Sequence, residues 1–187
     1  MPHFLHTVVR TFLLGFSALT LIIASSCGGT SDKNKTEKTK TVSRTQTNKS
    51  SHKKRASRNE RRNEVVRQAK ALLNTNYKRG GNHPITGLDC SGYVRFVFRQ
   101  AWGVVLPRTS LAQSKISKPI KRRELKKGDL VFYNTRRRKF SHVGIYIGNN
   151  QFIHSPASGG KVRIENMSMS YWKKRYNGAR RVKDPMY

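Results

Sequence analysis

Cys90 stands in the segment Leu88-Asp-Cys-Ser-Gly92, where an apolar stripe of helical period begins. Asp89 is a residue type that caps helix N-termini, so Cys90 is expected in the first turn of that helix. There, unpaired backbone N–H groups and the positive end of the helix dipole would stabilise a thiolate. From these residues alone, Cys90 is either a reactive nucleophile or a small buried filler.

Two histidines offer a base for such a nucleophile, because His142 and His154 lie in segments with the composition of β-strands. Gly148-Asn-Asn150 separates these segments. A three-residue loop would place both imidazoles on one face of the sheet, whereas a two-residue loop would place them on opposite faces. A cysteine–histidine–histidine triad therefore requires an odd-length loop or a β-bulge. The same residues lack the spacing of a zinc site, so no metal and no other cofactor is expected.

The elements that must position these residues are predicted helices in the first part of the folded domain and predicted strands in the second. Apolar residues at helical spacing predict an amphipathic helix over Glu60–Asn74, and a second helix is predicted from Cys90 to a stop at Gly103. Short segments rich in β-branched and aromatic residues follow. They span residues 130–133, 142–147, 151–154 and 161–164. Helices first and strands later predict an α+β domain with an antiparallel sheet.

Residues 1–26 predict an export signal. Arg10 precedes an apolar run of about fourteen residues, shorter than the roughly twenty that a membrane-spanning helix needs. Small residues then lead into Cys27, a pattern that resembles the bacterial lipobox. We therefore expect cleavage before Cys27 and a lipid on this new N-terminal residue. That modification leaves Cys90 without an intramolecular disulfide partner.

Residues 27–59 are expected to form a disordered tether, because they are almost devoid of apolar side chains. Ten lysines and arginines against two acidic residues make this segment strongly basic, in a chain of net charge +30. We expect it to bind anionic surfaces such as lipid headgroups or acidic wall polymers. Charge alone also fits nucleic acid, but export separates the protein from that partner. The folded domain is expected over residues 60–187.

Six motifs in order resemble the NlpC family of bacterial cell-wall cysteine peptidases, over about residues 65–182. The motifs are Tyr77-Lys-Arg-Gly-Gly81, Leu88-Asp-Cys-Ser-Gly92, Leu106-Pro-Arg-Thr-Ser110 with Gln113, Lys127-Gly-Asp-Leu-Val-Phe132, Ser141-His-Val-Gly-Ile-Tyr-Ile-Gly148 and Phe152-Ile-His154. The resemblance implies a papain-like α+β fold, with N-terminal helices packed on a central antiparallel sheet and the nucleophile at a helix N-terminus.

The resemblance also implies roles for single residues. Cys90 matches the nucleophile, His142 the general base, and His154 the polar residue that orients the base. Tyr77 matches a tyrosine that helps to stabilise the oxyanion. The residues that match the floor of the substrate pocket, where a peptide amine and carboxylate are recognised, are Ser91 and Gly92, with Asp89 beside them.

These features predict a lipid-anchored cysteine endopeptidase for cell-wall remodelling. It is expected to hydrolyse bonds involving D-amino acids or diaminopimelate, in peptidoglycan stem peptides or cross-links. Two other classes stay open: a catalytically silent wall-binding lipoprotein, and an acyltransferase or amidase on the same scaffold. Gly28 is not the aspartate of an inner-membrane retention signal, so the outer membrane, facing the periplasm, is the expected location. The sequence indicates no oligomeric state.

Overall fold

A computed structural model describes residues 35–157 and 159–187, with the backbone alone for residues 35–49. The predicted export signal and the predicted lipidation at Cys27 lie outside these residues. Residues 43–187 form one compact unit. No helix in the described part of the chain is both long and apolar enough to span a membrane.

Helix α1 spans Lys35–Ala71, so it begins well before the predicted start at Glu60. Its last turns bury Val65 and Ala69 in the core, whereas residues 50–60 are exposed. The structure thus gives a helix over residues 35–59, where the sequence predicts a disordered tether. No glycine or proline interrupts this stretch, and lysine, arginine and glutamine propagate a helix readily once packed turns have nucleated it.

Helix α2 spans Cys90–Trp102 and starts and stops where the sequence predicts. The Asp89 side chain accepts a hydrogen bond from the Gly92 backbone N–H, as an N-cap does. Gly103 ends the helix in the left-handed conformation, with φ of 70°. Val94, with the other apolar residues of one helix face, is fully buried against the sheet.

A six-stranded antiparallel sheet forms the centre of the fold, in the order β3-β8-β4-β5-β6-β7. Its strands are β3 (Pro119–Ile120), β4 (Leu130–Tyr133), β5 (His142–Gly148), β6 (Gln151–His154), β7 (Arg163–Asn166) and β8 (Tyr176–Arg180). The remaining elements are a small hairpin of β1 (Asn82–His83) and β2 (Gly87–Leu88), and the short helices α3 (Ser110–Gln113) and α4 (Ser170–Arg175). This arrangement confirms the predicted α+β class and its antiparallel sheet.

Two apolar clusters cover the sheet. The larger one joins α1 and α2 to alternate residues of the central strands, such as Phe132 and Val143. The smaller one contains Tyr133, Phe152 and Trp172. The aromatic residue Trp172, on α4, is 5% exposed, so it belongs to the core. Because side chains alternate along a strand, His142 lies on the same face as this second cluster.

Candidate active site

Cys90 is the first residue of α2 and lies against the start of β5. The backbone N–H of Val143, the residue after His142, points at the Cys90 sulfur and would hydrogen-bond to its thiolate. The Ser91 backbone N–H is a second such donor. The structure thus places the candidate nucleophile beside the backbone of the candidate base.

The Cys90 thiol is nevertheless harder to ionise than an ordinary cysteine. Burial raises its pKa, and the neighbouring Asp89 carboxylate raises it further. The two backbone donors and the Arg136 guanidinium act in the opposite direction but do not outweigh burial. The N–H group of Ser91 at the helix start lowers the pKa of Cys90, as expected, but the desolvation of a charged sulfur outweighs this effect.

The hairpin of β5 and β6 brings the two histidines together through a β-bulge. Its turn has two residues, Asn149 and Asn150, both in the left-handed conformation that such tight turns favour. By itself this turn would separate the rings, but the register shifts by one residue between Tyr146 and Gly148. The bulge is one of the two solutions that the sequence required, and it puts the candidate base and its orienting residue on one face.

The two imidazoles are hydrogen-bonded, with 2.8 Å between His142 Nε2 and His154 Nδ1. Gly144 on β5 allows the two strands to lie close enough for this contact. A β-carbon built on Gly144 would lie 2.6 Å from a ring carbon of Phe152 and 2.9 Å from the Ile153 carbonyl oxygen. Only glycine lets β5 and β6 approach so closely at this point.

Burial also governs the charge of the base. It lowers the pKa of His142 to about 4, and the Arg136 and Arg163 guanidiniums add to this effect. Burial lowers the pKa of His154 as well. At neutral pH both rings are therefore uncharged, and His142 Nδ1, the nitrogen not bonded to His154, is free to accept a proton.

Asp89 is the centre of an ion-paired network under the start of α2. Its carboxylate accepts from the Arg108 guanidinium at 2.7 and 3.1 Å and from the Ser91 hydroxyl at 3.1 Å. Burial raises the pKa of Asp89, but these contacts and the hydrogen bond from the Gly92 backbone N–H outweigh it, so the pKa lies below its usual value. Gly92 is required beside this network, because a β-carbon there would lie 2.0 Å from the Gly81 carbonyl oxygen. The substrate-binding roles of Asp89, Ser91 and Gly92 stay predictions.

Tyr77 lies on the same side of the site as Asp89. It forms a β-bridge with Leu88, two residues before the cysteine, and its hydroxyl accepts from Arg136 at 3.5 Å. Arg136 belongs to the loop between β4 and β5. An oxyanion role for Tyr77 stays a prediction, and this contact adds a positive charge beside its hydroxyl.

Sequence reasoning missed the roles of Arg108 and Trp172 at the site. Arg108 lies within a motif that the family resemblance covers, yet its pairing with Asp89 joins positions 19 residues apart. The Trp172 indole stacks on His142, with ring centroids 5.8 Å apart and 24° between the planes. Neither contact has a local sequence signal, because both depend on the tertiary fold.

The site contains no evident metal cradle. Within residues 35–157 and 159–187, no three histidine, cysteine, aspartate or glutamate side chains form a group that could hold a metal ion.

The folded part of the chain is similar to known proteins. A model described as the NlpC/P60 family matches residues 74–181. The chain is 48% identical over 109 residues to "Murein DD-endopeptidase MepS/Murein LD-carboxypeptidase" of Escherichia coli K12, covering 57% of this chain and 55% of that protein. It is 44% identical over 112 residues to "Murein DD-endopeptidase MepH" of the same strain, covering 58% and 41%. The matches thus span about half the length of these curated relatives.

A solved structure has the same fold. The peptidoglycan hydrolase RipB from Mycobacterium tuberculosis superposes with a TM-score of 0.57 at 29% identity, over 68% of this chain and 67% of that one. The papain-like NlpC fold expected from the motifs is therefore confirmed.

Proposed function

The chain belongs to the NlpC/P60 family, and from that membership and the site geometry we propose that it is a cysteine peptidase of peptidoglycan. It hydrolyses peptide bonds in stem peptides or cross-links that contain D-amino acids or diaminopimelate. The observation that carries the proposal is the placement of Cys90 against β5, where His142 is held by His154. Two relatives named murein endopeptidases support the same substrate.

Catalysis starts from a neutral thiol and a neutral imidazole. As the Cys90 sulfur attacks the scissile carbonyl, its proton passes to His142 Nδ1, which avoids a free thiolate in a buried site. His154 Nδ1 accepts the His142 Nε2–H and stabilises the imidazolium. The imidazolium then protonates the leaving amine, and a thioester remains on Cys90. Water, deprotonated by His142, hydrolyses the thioester.

Hydrogen-bond donors around the start of α2 stabilise the oxyanion. The Cys90 backbone N–H lies in the first turn, where no intrahelical partner is available to it. The Tyr77 hydroxyl, with the Arg136 guanidinium 3.5 Å away, supplies a second donor of raised polarity. Both donors act where negative charge develops.

The test is digestion of purified peptidoglycan by the full-length chain, with the soluble fragments read by mass spectrometry. The wild type should release fragments whose masses name the bond, and Cys90→Ala should release none while keeping its circular dichroism spectrum. Intact polymer that binds the folded wild type would support the silent wall-binding alternative instead. Fragments from both proteins would exclude Cys90 as the nucleophile.

We also propose that the protein is exported and anchored by a lipid on Cys27, facing the periplasm from the outer membrane. The supporting features are the lipobox-like residues before Cys27 and the basic residues that follow. The wild type should sediment with outer-membrane vesicles, whereas Cys27→Ser should appear in the soluble fraction. Equal distribution of the two proteins would contradict the anchor.

A further inference from the structure

A pocket of about 570 Å³ lies beside the histidine pair. Its wall includes His142, His154, Gly160, Arg163, Glu165 and Trp172. The pocket adjoins His142, and Cys90 is not among its lining residues. No step of the proposed hydrolysis uses this space.

One buried nitrogen in the pocket wall has no partner. His154 is 1% exposed, its Nδ1 is bonded to His142, and its Nε2 forms no hydrogen bond with any described residue. When His142 acts as a base through Nδ1, it carries its own proton on Nε2 and donates it to His154. The proton of His154 must then be on Nε2, which leaves a buried N–H donor that lacks an acceptor.

Arg163 supplies a second set of donors next to it. Strand β7 pairs His154 with Arg163 directly, so the two side chains are neighbours on one face of the sheet. Glu165 accepts from Arg163 Nε at 2.7 Å, which fixes the guanidinium by one edge. The two terminal nitrogens of the guanidinium form no hydrogen bond within the described residues, and the side chain is 52% exposed.

We propose that this pocket binds a carboxylate of the substrate, held by the Arg163 terminal nitrogens and by His154 Nε2–H. A planar carboxylate accepts two parallel hydrogen bonds from a guanidinium and still has lone pairs for an imidazole N–H. The guanidinium keeps its ion pair with Glu165 through Nε while its terminal nitrogens hold the ligand. The pocket is thus a substrate-recognition site directly beside His142 and His154.

The position of the pocket assigns this carboxylate to the leaving side of the scissile bond. This step rests on the proposed function, in which His142 protonates the leaving amine. The carbon that bears that amine therefore lies against His142, and its substituents face the wall that contains His154 and Arg163. The preferred bond is then one whose amine comes from an amino acid with a free α-carboxylate. Cross-links through the D-centre of a diamino diacid, and C-terminal residues of stem peptides, meet this condition.

The test uses two synthetic cross-linked stem-peptide dimers that differ in one group. In the first, the leaving amino acid carries a free α-carboxylate, and in the second it carries the carboxamide. For the full-length wild type, kcat/KM should favour the carboxylate substrate by about tenfold or more, the usual strength of a hydrogen bond to a charged group. For Arg163→Gln the preference should fall to about one, mainly because KM rises for the carboxylate substrate.

Two further variants control the comparison. Arg123→Gln removes an equal charge from an exposed residue outside the pocket wall, and should keep both the wild-type rates and the preference. Arg163→Lys should keep part of the preference for the carboxylate substrate. If Arg163→Gln does not fold, the preference of Arg163→Lys is compared with that of the wild type instead. Equal cleavage of both substrates by the wild type, or a full preference in both Arg163 variants, would overturn the carboxylate site alone. Cleavage of neither substrate would overturn the proposed function and this site with it.

Discussion

Burial sets the protonation states of the two side chains that are proposed to react. It raises the pKa of the Cys90 thiol and lowers that of the His142 imidazole to about 4, so each group is uncharged at neutral pH. In the proposed reaction, the proton therefore moves from Cys90 to His142 only when the sulfur attacks the substrate carbonyl. The hydrogen bond to His154 then stabilises the positive charge that His142 acquires.

These states predict the pH dependence of kcat/KM, which reports groups of the free enzyme. The reaction needs uncharged His142, so activity should be full at neutral pH and fall as the pH drops through about 4. A histidine of ordinary pKa would instead lose activity near 6.5. The profile should be recorded with a soluble stem peptide, and circular dichroism at each pH should show that the fold persists. A midpoint near 6.5 in folded protein would contradict the uncharged resting pair.

At the level of secondary structure, the hairpin of β5 and β6 positions His154 next to His142. The bulge after Tyr146 restores the register that the two-residue turn would lose, and Gly144 allows the strands to approach. Neither feature touches a substrate. Both decide whether His154 reaches His142.

Gly144→Ala should therefore damage both the fold and the site. The new methyl group would lie within contact distance of Phe152, the Ile153 carbonyl and the His154 side chain. Overpacking of this kind costs about 1–3 kcal/mol of unfolding free energy, measurable by urea titration. Activity should fall further than stability explains, because His154 must shift away from His142. Unchanged unfolding free energy with full activity would show that β6 adjusts without cost.

The predictable parts of the fold were those with a local signal. Asp89 and Gly103 mark the ends of α2 by their cap chemistry, and short segments rich in β-branched and aromatic residues mark β4 to β6. Strand β8 was missed because Tyr176–Arg180 contains asparagine and glycine, which are poor strand formers. Its conformation comes from pairing with β4.

The same distinction applies to the site. Cys90, His142 and His154 lie in recognisable motifs, so the sequence alone singles them out as the candidate triad. Arg163 was not singled out, because only the register of β6 and β7 shows that it adjoins His154. The net pKa of Cys90 could not be predicted, since helix position is visible in a sequence whereas depth of burial is not.

At the scale of the whole molecule, one buried carboxylate joins three distant segments. Asp129 is fully buried and accepts from Arg181 at 2.7 and 2.8 Å and from the Lys126 backbone N–H at 2.8 Å. Arg62 on α1 donates to it at 3.4 Å. The network ties α1 and the chain after β8 to the turn before β4, as expected of an aspartate that fixes this turn.

Asp129→Ala should destabilise the protein strongly. It leaves the Arg62 guanidinium, whose pKa burial already lowers, without its carboxylate partner. Removing one member of a buried ion pair costs about 3–5 kcal/mol, and urea unfolding would measure it. The control is Glu64→Gln, which removes an ion pair with the exposed Arg67 and should cost less than about 1 kcal/mol. Equal effects of the two substitutions would show that the network does not hold these segments together.

The proposed chemistry is tested most directly by the mass of the Cys90 peptide during turnover. The full-length chain would be mixed with a soluble cross-linked stem peptide, quenched in acid within one turnover, digested and analysed by mass spectrometry. A transient adduct on Cys90, equal in mass to the acyl half of the substrate, is the predicted result. Product release at the full rate with no adduct on Cys90, or with an adduct on another residue, would contradict the assignment of Cys90 as the nucleophile.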